Sequence, residues 1–183
     1  MTYYGAKDLA EAFRTVRKNT IAVAQDIPAD KYGFKPSADT RSVAQLLTHI
    51  AVGYRFQHQI HAVERRTTLD GFNFPELMQT LMAEEQRPRT KEQLLTLLKD
   101  EGDIWAQFLD GVSDSVLAES VAMRPGMTPA AKSRFEMMLS VKEHEMHHRG
   151  QLMLIERLLG IVPHLTRDMQ ARMAQLQSAG ARA

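Results

Sequence analysis

At 183 residues, 44% hydrophobic and 25% charged, the chain has the composition of a soluble globular protein, expected to form a single domain over 1–183. Disorder as the main state is excluded. Its 23 basic and 22 acidic residues leave a formal charge of +1, without the basic excess or patch that marks a nucleic-acid binder. The absence of cysteine removes disulfides, thiolate-metal sites and cysteine nucleophiles, so any metal site must use histidine, carboxylate or carbonyl ligands.

The first eight residues lack the basic start and apolar run of a signal peptide. No stretch reaches the ~18 uninterrupted apolar residues of a membrane span. The expectation is a cytoplasmic protein with no membrane partner. Residues 6–25 read as a first helix, with Leu9, Phe13, Val16, Thr20 and Val23 on one apolar face. Asp26-Ile27-Pro28 ends it, because proline cannot continue the hydrogen-bond ladder. Residues 32–39 form a loop with two aromatics. Asp39 or Thr40 then caps a second helix, whose buried stripe is Val43, Leu46, Leu47 and Ile50 and which reaches about Val63.

The segment 64–89 is the least regular. Asp70-Gly71 marks a turn, Pro75 opens a short helix through Met82 and Glu85, and Pro88 closes it. Its place in the order of elements sets residues 69–89 over the site entrance. Thr90 and Gln93 form a capping box for a third long helix, whose core face is Leu94, Leu95, Leu97, Leu98, Ile104, Trp105 and Phe108 and which Asp110-Gly111 ends. A second long connection, 112–127, turns at Pro125-Gly126. Thr128-Pro129 reads as an N-cap with proline at the first helical position, opening the longest helix, which runs to Leu159 before a Gly160 cap. An amphipathic segment over 165–176 packs on the bundle, and the tail 178–183 is expected to be frayed and disordered. No strand pattern is visible. The architecture expected is an all-α, antiparallel four-helix bundle with short additional helices.

Chemistry concentrates in histidine. His144 and His148 are four apart on the last long helix, about 40° around its axis and one turn along it, so both rings can face one ion. Two histidines seldom hold a metal alone, and His49, beside the buried stripe of the second helix, is the candidate third ligand. Three histidines leave a coordination position open, as catalytic sites do. Taken singly, each is equally a hydrogen-bonded core or surface histidine. His147 is rotated away from both partners and reads as a supporting, dimer-contact or solvent-facing group; His58, His61 and His164 read as surface.

The residues Lys35-Pro36-Ser37-Ala38-Asp39-Thr40-Arg41-Ser42-Val43-Ala44-Gln45-Leu46-Leu47-Thr48-His49-Ile50-Ala51 resemble the second-helix motif of the DinB superfamily. The run His144-Glu145-Met146-His147-His148-Arg149-Gly150-Gln151-Leu152 is similar to its closing motif. The resemblance implies an up-down-down-up bundle and a metal triad at His49, His144 and His148. It also implies a homodimer and, as in some relatives, transferase or isomerase chemistry with a low-molecular-weight thiol such as bacillithiol or mycothiol. Three histidines accept zinc or nickel, and iron or manganese as well.

Three functions compete. In the first, a metal-dependent enzyme activates a thiol or water to attack a small-molecule substrate, as a transferase, isomerase or hydrolase. Gly53 and Phe56 lie one and two turns beyond His49 and would give space and an aromatic wall beside the ion, or else serve helix packing. Gln151 could hydrogen-bond a ligand imidazole. Arg149 is either an anion contact or solvated, and Gly150 suggests close helix approach. In the second, His144-Glu145-Met146-His147-His148 is an H-E-x-x-H zinc peptidase with Glu145 as base; the missing strands and third-ligand extension count against it, Asp168 being a poor substitute. In the third, the protein binds metal in a stress or damage response without catalysis.

Overall fold

The computed structural model describes residues 4–180. Helix α1 (Ala6–Asp26) starts where Asp8 accepts a hydrogen bond from the Gly5 amide and ends at extended Ile27. It buries Leu9, Phe13, Val16, Thr20 and Val23, the stripe expected of it. A single 3₁₀ turn follows at Ala29–Lys31.

The second long element is a broken arm. Its first part, α2 (Val43–Val52), is capped by Ser42, whose side chain accepts from the Gln45 amide while Gln45 returns a bond to the Ser42 amide. The cap thus lies two to three residues beyond Asp39 and Thr40, because Ser42 satisfies the free amides of the first turn. A jog at Gly53-Tyr54 leads to α3 (Arg55–His58) and a π-helical turn, Gln59–Val63. The arm does reach Val63, but with its phase reset.

Helix α4 (Phe74–Gln86) is capped by Asn73 with proline in its first turn. Helix α5 (Lys91–Asp110) has the Thr90/Gln93 capping box in place and buries Leu94, Leu98 and Trp105, whereas Ile104, expected on the same face, is exposed. After one turn, α6 (Asp114–Leu117), the chain forms a small hairpin absent from the sequence reading, β1 (Ser120–Ala122) antiparallel to β2 (Ala131–Ser133). Thr67 and Leu69 bond to Ala122 on its other edge. Strands of three residues are too short for alternation to register. They also displace the expected start of the last long helix. The Thr128–Pro129 peptide is cis and lies in the hairpin connection, and α7 (Arg134–Leu158) begins at an N-cap Ser133. Gly160, at φ +78°, closes its end. Helix α8 (His164–Gly180) follows and takes in 178–180, which were expected to be frayed; 181–183 lie outside the described residues.

Side-chain pairs fix the directions. Arg14 pairs with Asp110, and Lys91 donates to the Gln25 and Ile27 carbonyls, so α1 and α5 run antiparallel. Arg17 meets Glu145 and, nine residues on, Asp26 lies near Glu156, so α1 and α7 run parallel. Residues 45–53 descend along 144–155, making α2 antiparallel to α7. This is the up-down-down-up bundle. Its core falls into three clusters, one around Leu47, Leu94 and Leu152, one around Leu9, Phe13 and Trp105 at the other end, and a smaller one around Ile60, Phe72 and Val121 beside the hairpin.

Two histidines expected at the surface are buried. The π turn carries His61 inward, where it bonds Arg134 and Gln57; burial, with the nearby Arg134 charge, lowers its pKa to about 4, so it accepts from Arg134 as a neutral ring. His164 packs at the α1/α8 contact against Asn19. Gly150 is exposed, and a Cβ there would meet nothing within 4 Å, so no close helix approach explains it.

Candidate metal centre

Antiparallel α2 and α7 bring His49 between His144 and His148. The three Nε2 atoms converge: 2.9 Å from His49 to His144, 3.1 Å from His49 to His148, and 3.1 Å from His148 to His144. This is the one cluster of its kind among the described residues that could hold a metal ion.

The outer nitrogens decide what the inner ones offer. His49 Nδ1 lies 2.6 Å from Glu85 Oε1, and His148 Nδ1 lies 2.8 Å from Gln151 Oε1. Glu85 is held as a carboxylate: burial works against its charge, but bonds from His49 and Arg41 outweigh it and lower its pKa. Oxygens can only accept here, so both Nδ1 atoms donate, and the Nε2 atoms of His49 and His148 turn lone pairs toward each other. Protonation does not relieve this easily. Burial first, then the neighbouring imidazoles, push His144 down to about 4, and His148 is lowered too. Nitrogens facing one another at ~3 Å, two of them on rings that burial keeps neutral, suit a shared cation. Three nitrogens at ~2.0–2.1 Å from one tetrahedral ion are roughly 3.3 Å apart, close to the spacing found. The donor set fits a divalent ion.

Supporting groups come from three elements. Glu85, on α4, also accepts from Arg41 at 2.7 Å, so an arginine–carboxylate–imidazole chain orients His49. Gln151 bridges His148 to the exposed His147, its amide nitrogen 3.1 Å from His147 Nε2. Gly53 sits against His144: a Cβ there would stand 3.0 Å from His144 Cε1 and 3.0 Å from the His49 carbonyl, so only glycine leaves that ring its place. Phe56 lies in the cavity wall beside His49 and His144.

Glu145 stands apart. It is 1% exposed and spends both oxygens on Arg17, at 2.9–3.1 Å, toward α1 rather than toward the triad. The peptidase reading loses its base. Arg149 is half-buried, reaching the Val16 carbonyl, not solvated. Glu85 and Arg41 were missed because no local spacing ties a carboxylate on α4 to a histidine on α2. The one signal was that the irregular segment 69–89 lies between the two motifs.

Among the described residues, no helix is long and apolar enough to cross a membrane. The sequence profile of the DinB superfamily matches residues 12–152. A solved structure of a DinB-like protein from Bacillus subtilis is similar to this chain, at 20% identity and a TM-score of 0.61. The likeness covers 83% of this chain and 91% of that one, and shows the fold. No curated protein matches.

Proposed function

The chain belongs to the DinB superfamily, and on that premise we propose that it is a metal-dependent enzyme acting on a small molecule, with one divalent ion held by His49, His144 and His148. The carrying observation is the convergence of three Nε2 atoms whose outer nitrogens, at His49 and His148, already donate to Glu85 and Gln151. Zinc or nickel suits three neutral imidazoles best; iron or manganese is the next choice. Bound there, a divalent ion supplies Lewis acidity that lowers the pKa of a thiol or water beside it.

The protein's own groups prepare that position. Glu85 fixes the tautomer of His49, and Arg41 keeps Glu85 charged and in place. Gln151 does the same for His148 without adding charge. Three histidine ligands leave room for a nucleophile, which favours a thiol-dependent transferase or isomerase, or a hydrolase, over a closed metal store. A low-molecular-weight thiol and a homodimeric assembly accompany this reading as family expectations, and a cytoplasmic setting as the expectation from the sequence.

The test is turnover. Zinc- or nickel-loaded protein, given a low-molecular-weight thiol and an electrophilic acceptor, should consume thiol in a reaction that chelation stops and His148→Ala lacks. Metal-loaded protein that turns over neither thiol nor hydrolysable substrates would favour the non-catalytic, stress-response alternative.

A further inference from the structure

The triad separates two cavities of different chemistry. On the His148 side, a groove of about 700 Å³ runs past Gln151, Gln45, Arg41 and Lys35. On the His144 side, a pocket of about 340 Å³ meets His49, His144 and Glu85 at one wall, and otherwise Phe56, Phe74, Met78, Leu81 and Val141. Glu85 borders both. Its volume is at the small end of the range for small-molecule sites.

The pocket wall offers a ligand no free charge. Glu85 is engaged by Arg41 and His49, the Gln57 carbonyl oxygen accepts from His61, and the Ser140 hydroxyl donates to the Met137 carbonyl. Apart from the Gln57 amide nitrogen and His144 Nδ1, what remains is apolar and shaped. Phe56 is fixed edge-on between Phe72 and Phe74, at 5.9 and 5.5 Å. Phe74, Met78, Leu81 and Glu85 recur at helical spacing, so one face of α4 supplies most of one wall together with the carboxylate on His49. Gly53 keeps the floor open next to the His144 ring.

We infer that this pocket is the site for a compact, uncharged, apolar group of the substrate, placed under α4 against the imidazoles of His49 and His144. The inference rests on the metal-dependent reading and deepens it: the substrate is amphiphilic, its apolar part selected by Phe56, Phe74, Met78 and Leu81 and its polar part lying toward the Arg41 groove. Burying such a group against these side chains is favourable through the apolar surface removed from water.

Toluene is the probe, followed by ligand-observed NMR on the zinc-loaded protein. It should bind the wild type saturably, and should bind Met173→Trp, altered on exposed α8, equally well. Met78→Trp fills the pocket and should weaken binding roughly tenfold or more. Phe74→Ala trims the half-open rim, is safe for folding, and should weaken it severalfold. No binding to the wild type, or unchanged binding to Met78→Trp or Phe74→Ala, overturns the assignment. Zinc content in the same samples keeps the two readings apart. Toluene bound without zinc leaves the pocket standing and removes the metal; zinc bound without toluene does the reverse.

Discussion

Arg17→Met alone should destabilise the fold by about 3–5 kcal/mol, as should Glu145→Leu alone, whereas the double variant should recover most of the loss. Arg17 and Glu145 are 5% and 1% exposed, and they meet through three bonds between α1 and α7. The guanidinium also donates to the Leu98 and Ile50 carbonyls, so one side chain ties α1 to all three other long elements. Gly102 makes the room: a Cβ there would stand 2.9 Å from Arg17 Cγ. Removing either partner strands the other charge in a dry interior, which costs far more than the pair contributes over two apolar residues. Urea denaturation of the two single variants and the double variant gives the coupling directly. Single losses below ~1 kcal/mol would mean that water reaches this pair.

A second large effect is pH-dependent and sits at the far end of α7. Glu156 is fully buried, and neither carboxylate oxygen has a partner. Burial, then the charge of Asp26, raises its pKa to about 7, while Arg167 and Arg157 pull the other way. Its folded-state pKa is therefore above the unfolded value of 4.5. Between these values the native protein keeps a proton that the unfolded chain has released, so this group's contribution to stability falls as pH rises through that window and levels off above about 7. Glu156→Gln removes the titration. The variant should match the wild type near pH 4 and exceed it near pH 8 by roughly 2 kcal/mol, after allowing for screening by water at the helix ends. Denaturation of both proteins across that range measures it. A difference that stays constant with pH would show that Glu156 does not titrate in this window.

The burial of Arg17, Glu145 and Glu156 is not written in the sequence. Periodicity reports which face of a helix is apolar, and so α1, α4, α5 and the end of α7 could be read from Leu9 to Val23, from Pro75 and Pro88, from the Thr90/Gln93 box and from Gly160. It does not report a charge turned inward, because Arg17 and Glu145 are neutralised by a partner 128 residues away. Local continuity was also misleading at two points. The jog at Gly53 and the π turn after it rotate His61 from the expected surface into contact with Arg134. Thr128-Pro129, chemically a good helix start, is claimed by a hairpin whose strands are three residues each. The site divides in the same way. His144 and His148 share a face by simple helical arithmetic, and His49 was a candidate from its place beside the buried stripe, with which the family motif agrees. Glu85 lies 36 residues from His49 on an element with no pattern linking them, so only the fold reveals it.

The central claim is that His49, His144 and His148 hold one divalent ion, and metal content tests it most directly. Elemental analysis of purified protein after loading and exhaustive desalting should give about one equivalent in the wild type and none in His49→Ala or His148→Ala, since two remaining imidazoles hold a metal too weakly to survive desalting. Both variants should keep the helical content of the wild type, because the triad is only partly buried and lies outside the Leu47–Leu94–Leu152 core. A full equivalent retained in His49→Ala, or no metal in the loaded wild type, would contradict the assignment.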